Sequence, residues 1–130
     1  MAPRARTVAL VAAGGFAGAI ARWLLAVALP ELGGTLAANV GGAFALGAVV
    51  AVDSNDRLPT ATRAALATGF LSSFTTYSTF AVESATAGSP ALLIGNVVAT
   101  YALGFAAAAV GLAVGRRVVG DGTDIGGESA

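Results

Sequence analysis

Cysteine, histidine and lysine are absent from this chain, and methionine occurs once, at Met1. Their absence excludes disulfides, thiolate or imidazole metal ligation and any Cys- or His-based catalysis. Charge is scarce too. Seven arginines and seven carboxylates make up 11% of 130 residues, against about a quarter in an average soluble domain. So few charges cannot clothe a water-facing surface. Net charge is zero with no basic tract, which argues against nucleic acid as a partner. What remains is 56% hydrophobic, rich in Ala, Val, Leu and Gly, with a mean hydropathy of +0.81. The solvent such a sequence suits is lipid.

Four apolar segments follow one another at 8–29, 35–52, 60–84 and 91–114. A hydrocarbon core about 30 Å thick takes roughly 20 helical residues, so each segment can cross, the second only just. The first is too long for a secretory signal core of about 7–15 residues, and Arg22 interrupts it, so it reads as a retained span. The connections "PELGG", "DSNDRLP" and "AGSP" are short, and Pro30, Pro59 and Pro90 stand at or near span ends. A proline's missing N–H costs least there. The expected class is therefore an all-α membrane protein, one four-span unit over 1–117. The Gly-rich, acidic tail 118–130 is expected to be disordered.

Four spans place both termini and the middle loop on one side. Arg4, Arg6, Arg57, Arg63, Arg116 and Arg117 fall on that side, and the other two loops hold none. The positive-inside rule makes that side cytoplasmic. Gly14 and Gly18, Ala43 and Gly47, and Gly111 and Gly115 are each four apart, a spacing that lets helix backbones approach closely in lipid. Four short helices leave little interior, so a pore would call for a dimer.

Polar side chains inside a span each need a partner or a wet path. Arg22 can snorkel outward or pair with a carboxylate such as Glu83. Thr35 and Asn39 share one face of the second span, and Asn96 and Thr100 share one face of the fourth, continued by Gly104. Such residues are either interhelical glue or donors lining an ion track. Tyr101 falls on a different face of that helix and suits an interface. The third span carries "GFLSSFTTYSTF" at 69–80, with seven hydroxyls from Ser72 to Thr79. Clustered Ser and Thr bond nearby backbone and loosen a helix, so a break is expected near 72–75. A break frees carbonyls, which suit a hard cation such as sodium. Tyr77 and Phe80, three apart, share a face and can turn positive ring edges toward a small anion. A hydroxyl-rich packing seam accounts for the same residues equally well.

"GGFAGAIARW" at 14–23, "GTLAANVGGAFALG" at 34–47 and "GFLSSFTTYSTF", in this order and span placement, resemble the CrcB/Fluc fluoride channels. The resemblance covers all four spans. It implies an antiparallel dimer of four-helix subunits in the plasma (inner) membrane, the third helix broken mid-span, with two fluoride pores and a structural Na+ at the centre. The Na+ would sit on the backbone carbonyls of Ser72 and Thr75. The ion pathway would fall on Thr35, Asn39, Tyr77, Phe80, Asn96 and Thr100, and Arg22 and Glu83 match charged positions. Three positions depart from the family pattern: Tyr77 for a phenylalanine, Ser72–Ser73 for a Gly-Gly pair, and Trp23 for a tyrosine. The implied activity is passive fluoride efflux, giving resistance to fluoride toxicity, with no enzymatic step. The one-sided arginine count adds a paralogous partner of opposite orientation. A small four-helix drug/proton antiporter fits the length but would carry a carboxylate in its first span, where this chain has only Arg22. A non-conducting scaffold subunit fits the glycines but not two polar stripes.

Overall fold

The computed structural model describes residues 3–29, 32–54 and 56–124, and among these there is helix and turn but no strand. Helix α1 spans Pro3–Ala28 and α2 spans Leu32–Val52. A short α3, Thr60–Arg63, runs into a π-helical stretch, Ala64–Leu71, and then α4, Ser72–Phe74. After Thr75 and Thr76 the chain turns helical again in α5, Tyr77–Ala85, and ends in the long α6, Pro90–Asp124. Among the described residues, three helical stretches are long and apolar enough to cross a membrane: Arg4–Ala28, Leu32–Val52 and Pro90–Gly120. Pro59 precedes α3 and Pro90 opens α6, both at positions where no intrahelical N–H is lost.

Two helix pairs organise the bundle, and glycine brings each together. A Cβ on Gly47 would strike the Ala108 carbonyl, and one on Gly111 would strike the Phe44 carbonyl, so α2 and α6 touch backbone to backbone. A Cβ on Gly18 would likewise meet the Phe70 carbonyl, joining α1 to the π-helical stretch. In lipid, where no hydrophobic force joins helices, such close approach supplies the dispersion contact that does. The apolar interior is thin: Ala38, Ala51, Leu71 and Phe80 are its buried members, while Phe16 and Trp23 lie open on the outside. That inversion is what a lipid-facing surface looks like.

The pairings also fix direction. Gly14 and Gly18 meet Ala65 and Phe70 in that order, and Phe44 and Ala51 meet Gly111 and Gly115 in that order. The first and third segments are therefore parallel, as are the second and fourth. Arg63 binds Asp53 at one end, whereas Thr35 binds Glu83 and Asn96 binds Ser84 at the other. Arg4, Arg6, Arg57, Arg63, Arg116 and Arg117, far apart in sequence, thus gather at the Asp53 end of the bundle.

Two boundaries differ from the sequence expectation. Helix α1 begins before residue 8, because nothing from Pro3 onward interrupts it. Helix α6 runs on to Asp124, so residues 118–124 of the expected tail are helical backbone; 125–130 lie outside the described residues. Gly120 and Gly122 cost about 1 kcal/mol each in a helix relative to Ala, but no proline stops it.

Candidate ion pathway

The third segment departs from regular helix in two ways. Ala64–Leu71 is wound wider, as a π-helix, a form that often marks functional sites. Then Thr75 (φ −82°, ψ 157°) and Thr76 (φ −150°, ψ 125°) are extended. The hydroxyls around them act mostly on backbone. Ser72 Oγ donates to the Thr68 carbonyl, and Thr75 Oγ1 to the Leu71 carbonyl at 2.9 Å. Thr76 Oγ1 accepts from the Thr79 N–H at 3.2 Å, an N-cap that starts α5.

Two other helices reach into this stretch. From α2, Asn39 Nδ2 donates to the Thr76 carbonyl at 3.0 Å, and Asn39 Oδ1 accepts from the Thr76 N–H at 2.8 Å. From α1, Arg22 Nε donates to the Ser73 carbonyl at 3.1 Å. That contact replaces the pairing with Glu83 considered from sequence. Glu83 lies about two turns beyond Thr76, on α5, and takes its hydrogen bond from Thr35 Oγ1 at 2.9 Å. Its second carboxylate oxygen, Oε2, is buried without a partner.

Beside the extended pair, an open groove of about 870 Å3 runs along α2, α4, α5 and α6. Asn39, Tyr77, Phe80 and Thr100 all line it, so four of the six expected pathway residues come together. Thr35 and Asn96 do not. They are buried further along, Thr35 on Glu83 and Asn96 Nδ2 on Ser84 Oγ at 2.8 Å, pinning α5 from both sides. Thr100 Oγ1 is buried and has no hydrogen-bond partner. The Tyr77 and Phe80 rings stand 5.9 Å apart between centroids at 48°. Phe80 meets Tyr101 at 6.1 Å and 85°, edge to face. Tyr101, assigned from sequence to another face of its helix, in fact lines the groove beside Thr100. Being adjacent in sequence puts the two about 100° apart on the helix, and the groove is wide enough to take in both.

Sequence reasoning missed three functional contacts. Thr76 carries the clamp from Asn39 and the cap on α5, yet it stood unassigned among the hydroxyls. Ser84, the partner of Asn96, has no distinguishing neighbours in sequence. The Arg22–Ser73 bond joins residues 51 apart, which only a packed α1 against α4 makes visible.

Outside the membrane segments, the hydrogen bond from Arg63 holds the Asp53 carboxyl below the usual carboxylate range, against the opposing effect of desolvation. The Leu58 N–H adds to the lowering.

Residues 9–112 match the family described as CrcB-like protein, Camphor Resistance (CrcB). The chain belongs to the CrcB family. It is 56% identical over 122 residues to "Fluoride-specific ion channel FluC 1" of Natronomonas pharaonis, covering 92% of this chain and 97% of that protein. It is 48% identical over 120 residues to "Fluoride-specific ion channel FluC 2" of Halobacterium salinarum, covering 90% of this chain and 92% of that one. A bacterial relative in Acidobacterium capsulatum, "Fluoride-specific ion channel FluC", is 39% identical over 122 residues. The long apolar helices and this family membership make the CrcB chain a multi-pass membrane protein.

Proposed function

We propose that this CrcB chain is a subunit of a fluoride-selective channel that lets fluoride leave the cell passively, and is not an enzyme. One observation carries the reading: Thr100, whose Oγ1 is buried without a hydrogen-bond partner among the described residues, lines the same groove as Phe80 and Asn39. Fluoride is small and strongly hydrated, so a selective path must supply close donors in place of water. Thr100 and the amide of Asn39 suit that task, and ring edges of Phe80 and Tyr77 add weaker positive charge. Thr35 and Asn96 extend the polar lining toward Glu83, past the end of the groove. Arg22, partly buried beside the break, favours anions over cations there. The names of the relatives support fluoride as the ion. The antiporter and scaffold readings are not favoured, since the first span carries no carboxylate and the groove gathers donors.

The groove is open along its length, with Tyr77 and Phe105 both 74% exposed on its rim. A second subunit, antiparallel to the first, would close it, with the extended stretch of the third segment as the mid-span break. The carbonyls of Ser72 and Thr75 take no hydrogen bond among the described residues, which fits a structural Na+ on those oxygens. When bound, such an ion supplies fixed positive charge between the breaks. The arginine end of the bundle would face the cytoplasm of the plasma membrane, termini included. Names numbered 1 and 2 among the relatives suit chains that work in paralogous pairs.

The test is efflux from fluoride-loaded liposomes read with a fluoride electrode, for this chain alone and with any paralogue. Fluoride release with chloride retained supports the channel. No release in either arrangement rejects it.

A further inference from the structure

We propose that Asn39 is a positioning residue: its carboxamide acts as a one-residue strand partner that holds Thr76 extended and thereby strips the helical hydrogen bond from the Ser72 carbonyl. This inference rests on the channel reading for its functional consequence, though the clamp itself does not depend on that reading.

In an uninterrupted helix the Thr76 N–H would bond the Ser72 carbonyl, and the Thr76 carbonyl would receive the Phe80 N–H, each four residues away. Here the Thr76 N–H goes to Asn39 instead, and the Thr76 carbonyl, which as the N-cap carbonyl also starts the α5 ladder, accepts from Asn39 as well. Its Oδ1 accepts the Thr76 N–H at 2.8 Å, and its Nδ2 donates to the Thr76 carbonyl at 3.0 Å. One carboxamide therefore meets both backbone groups of one residue, in the pattern a neighbouring β-strand would use, and takes the Thr76 N–H out of the helical ladder. A second swap occurs one residue earlier in the ladder. The Thr79 N–H, which would bond the Thr75 carbonyl, goes to Thr76 Oγ1 at 3.2 Å. Of the carbonyls of residues 72–75, that of Ser73 takes Arg22, and those of Ser72, Phe74 and Thr75 are left over among the described residues. The interruption is therefore made by substitute partners, not by a residue that cannot be helical, for neither glycine nor proline stands between Ser72 and Phe80.

The substitution requires one acceptor and one donor at fixed separation. Among small side chains only a carboxamide, or a protonated carboxyl, offers both. The neighbouring residues add support. Gly42, three residues after Asn39, leaves room for the Thr75 methyl, which a Cβ would strike. Arg22 holds the Ser73 carbonyl on the opposite flank. Because Tyr77 follows Thr76 directly, the clamp sets where α5 begins and so where Tyr77 and Phe80 present their edges.

Two variants test this. In Asn39→Asp, the protonated carboxyl can accept from the Thr76 N–H and donate to its carbonyl, whereas the ionised form turns an oxygen against that carbonyl. Fluoride efflux from Asn39→Asp, corrected for leak through protein-free liposomes, should rise by about tenfold or more as pH is lowered from about 7.5 to about 5.5, since protonation restores the acceptor and donor pair. Efflux that does not change with pH overturns the proposal. In Asn39→Val, which has neither donor nor acceptor, the Cα and Cβ chemical shifts of Thr76 in bilayers should move from extended toward helical values. If they stay extended while efflux is lost, Asn39 acts on the ion itself and the positioning role fails. The shift measurement reads the clamp even in a chain that passes no fluoride, so the two readings fail separately.

Discussion

Among the hydroxyls of the third segment, chemistry divides by partner. Ser72 and Thr75 turn back on their own helix, and Thr76 caps the next one. Thr100 Oγ1, on α6, has no hydrogen-bond partner among the described residues. A buried hydroxyl without a partner costs about 1–3 kcal/mol, so it persists where something else supplies the partner. If that something is fluoride, Thr100→Val, which keeps the shape and removes the hydroxyl, should cut efflux by roughly 10- to 100-fold, the range for a hydrogen bond to a charged group of about 1.5–3 kcal/mol. Thr100→Ser should restore most of it. Equal efflux in Thr100→Val and the unmodified chain, measured with the electrode, would remove Thr100 from the pathway. The pairing of Thr35 with Glu83 makes a different kind of prediction. Thr35→Val leaves both Glu83 oxygens without a hydrogen bond and should lower thermal stability in detergent by about 1–3 kcal/mol.

At the scale of elements, the spans were legible because apolar runs bounded by proline and short polar loops leave few alternatives. The glycine pairs foretold close approach, and the structure draws α2 to α6 and α1 to the third segment through them. The partner of each glycine was not legible, since spacing on one helix says nothing about which neighbour fills it. The site behaved similarly. Asn39, Tyr77, Phe80 and Thr100 meet in one groove, whereas Thr35 and Asn96 point to α5 side chains. A shared helical stripe predicts a common direction, but each polar atom settles on the nearest partner along that stripe. The π-helical winding of Ala64–Leu71 left no mark in residue type at all.

Packing predictions belong here. Gly111→Val must push the Phe44 carbonyl away and should destabilise the bundle by about 1–3 kcal/mol, read as a lower midpoint in thermal unfolding. Gly95→Ala meets no atom within 4 Å and should be neutral or stabilising by up to about 1 kcal/mol. The link between α2 and α3 is electrostatic. Arg63 binds Asp53 at 2.8 Å and holds its carboxyl low. A depressed carboxylate stabilises the fold above its unfolded-state pKa, and that contribution is lost as pH falls through the folded value. The loss of stability on acidification should therefore be shallower in Asp53→Asn, measured as unfolding midpoint against pH below about 4.

For the whole molecule, the decisive feature is polarity from end to end. Six of the seven arginines gather at the Asp53 end of the bundle. Insertion machinery reads such a bias, so a chain built this way should enter the membrane in one orientation, with its termini in the cytoplasm. If an antiparallel neighbour closes the groove, as proposed, a second copy inserted the same way cannot serve. The two requirements meet only if the neighbour is a related chain with its arginines at the opposite end. A reporter fused to the C-terminus should be active on the cytoplasmic side alone, and purified chain without a paralogue should release little fluoride from loaded liposomes. Adding the oppositely biased paralogue during reconstitution should raise release by at least about tenfold, since only antiparallel pairs would complete the path. Rapid release from the single chain would mean that it inserts both ways despite its arginines, and the paired-subunit reading would give way to a dual-orientation homodimer.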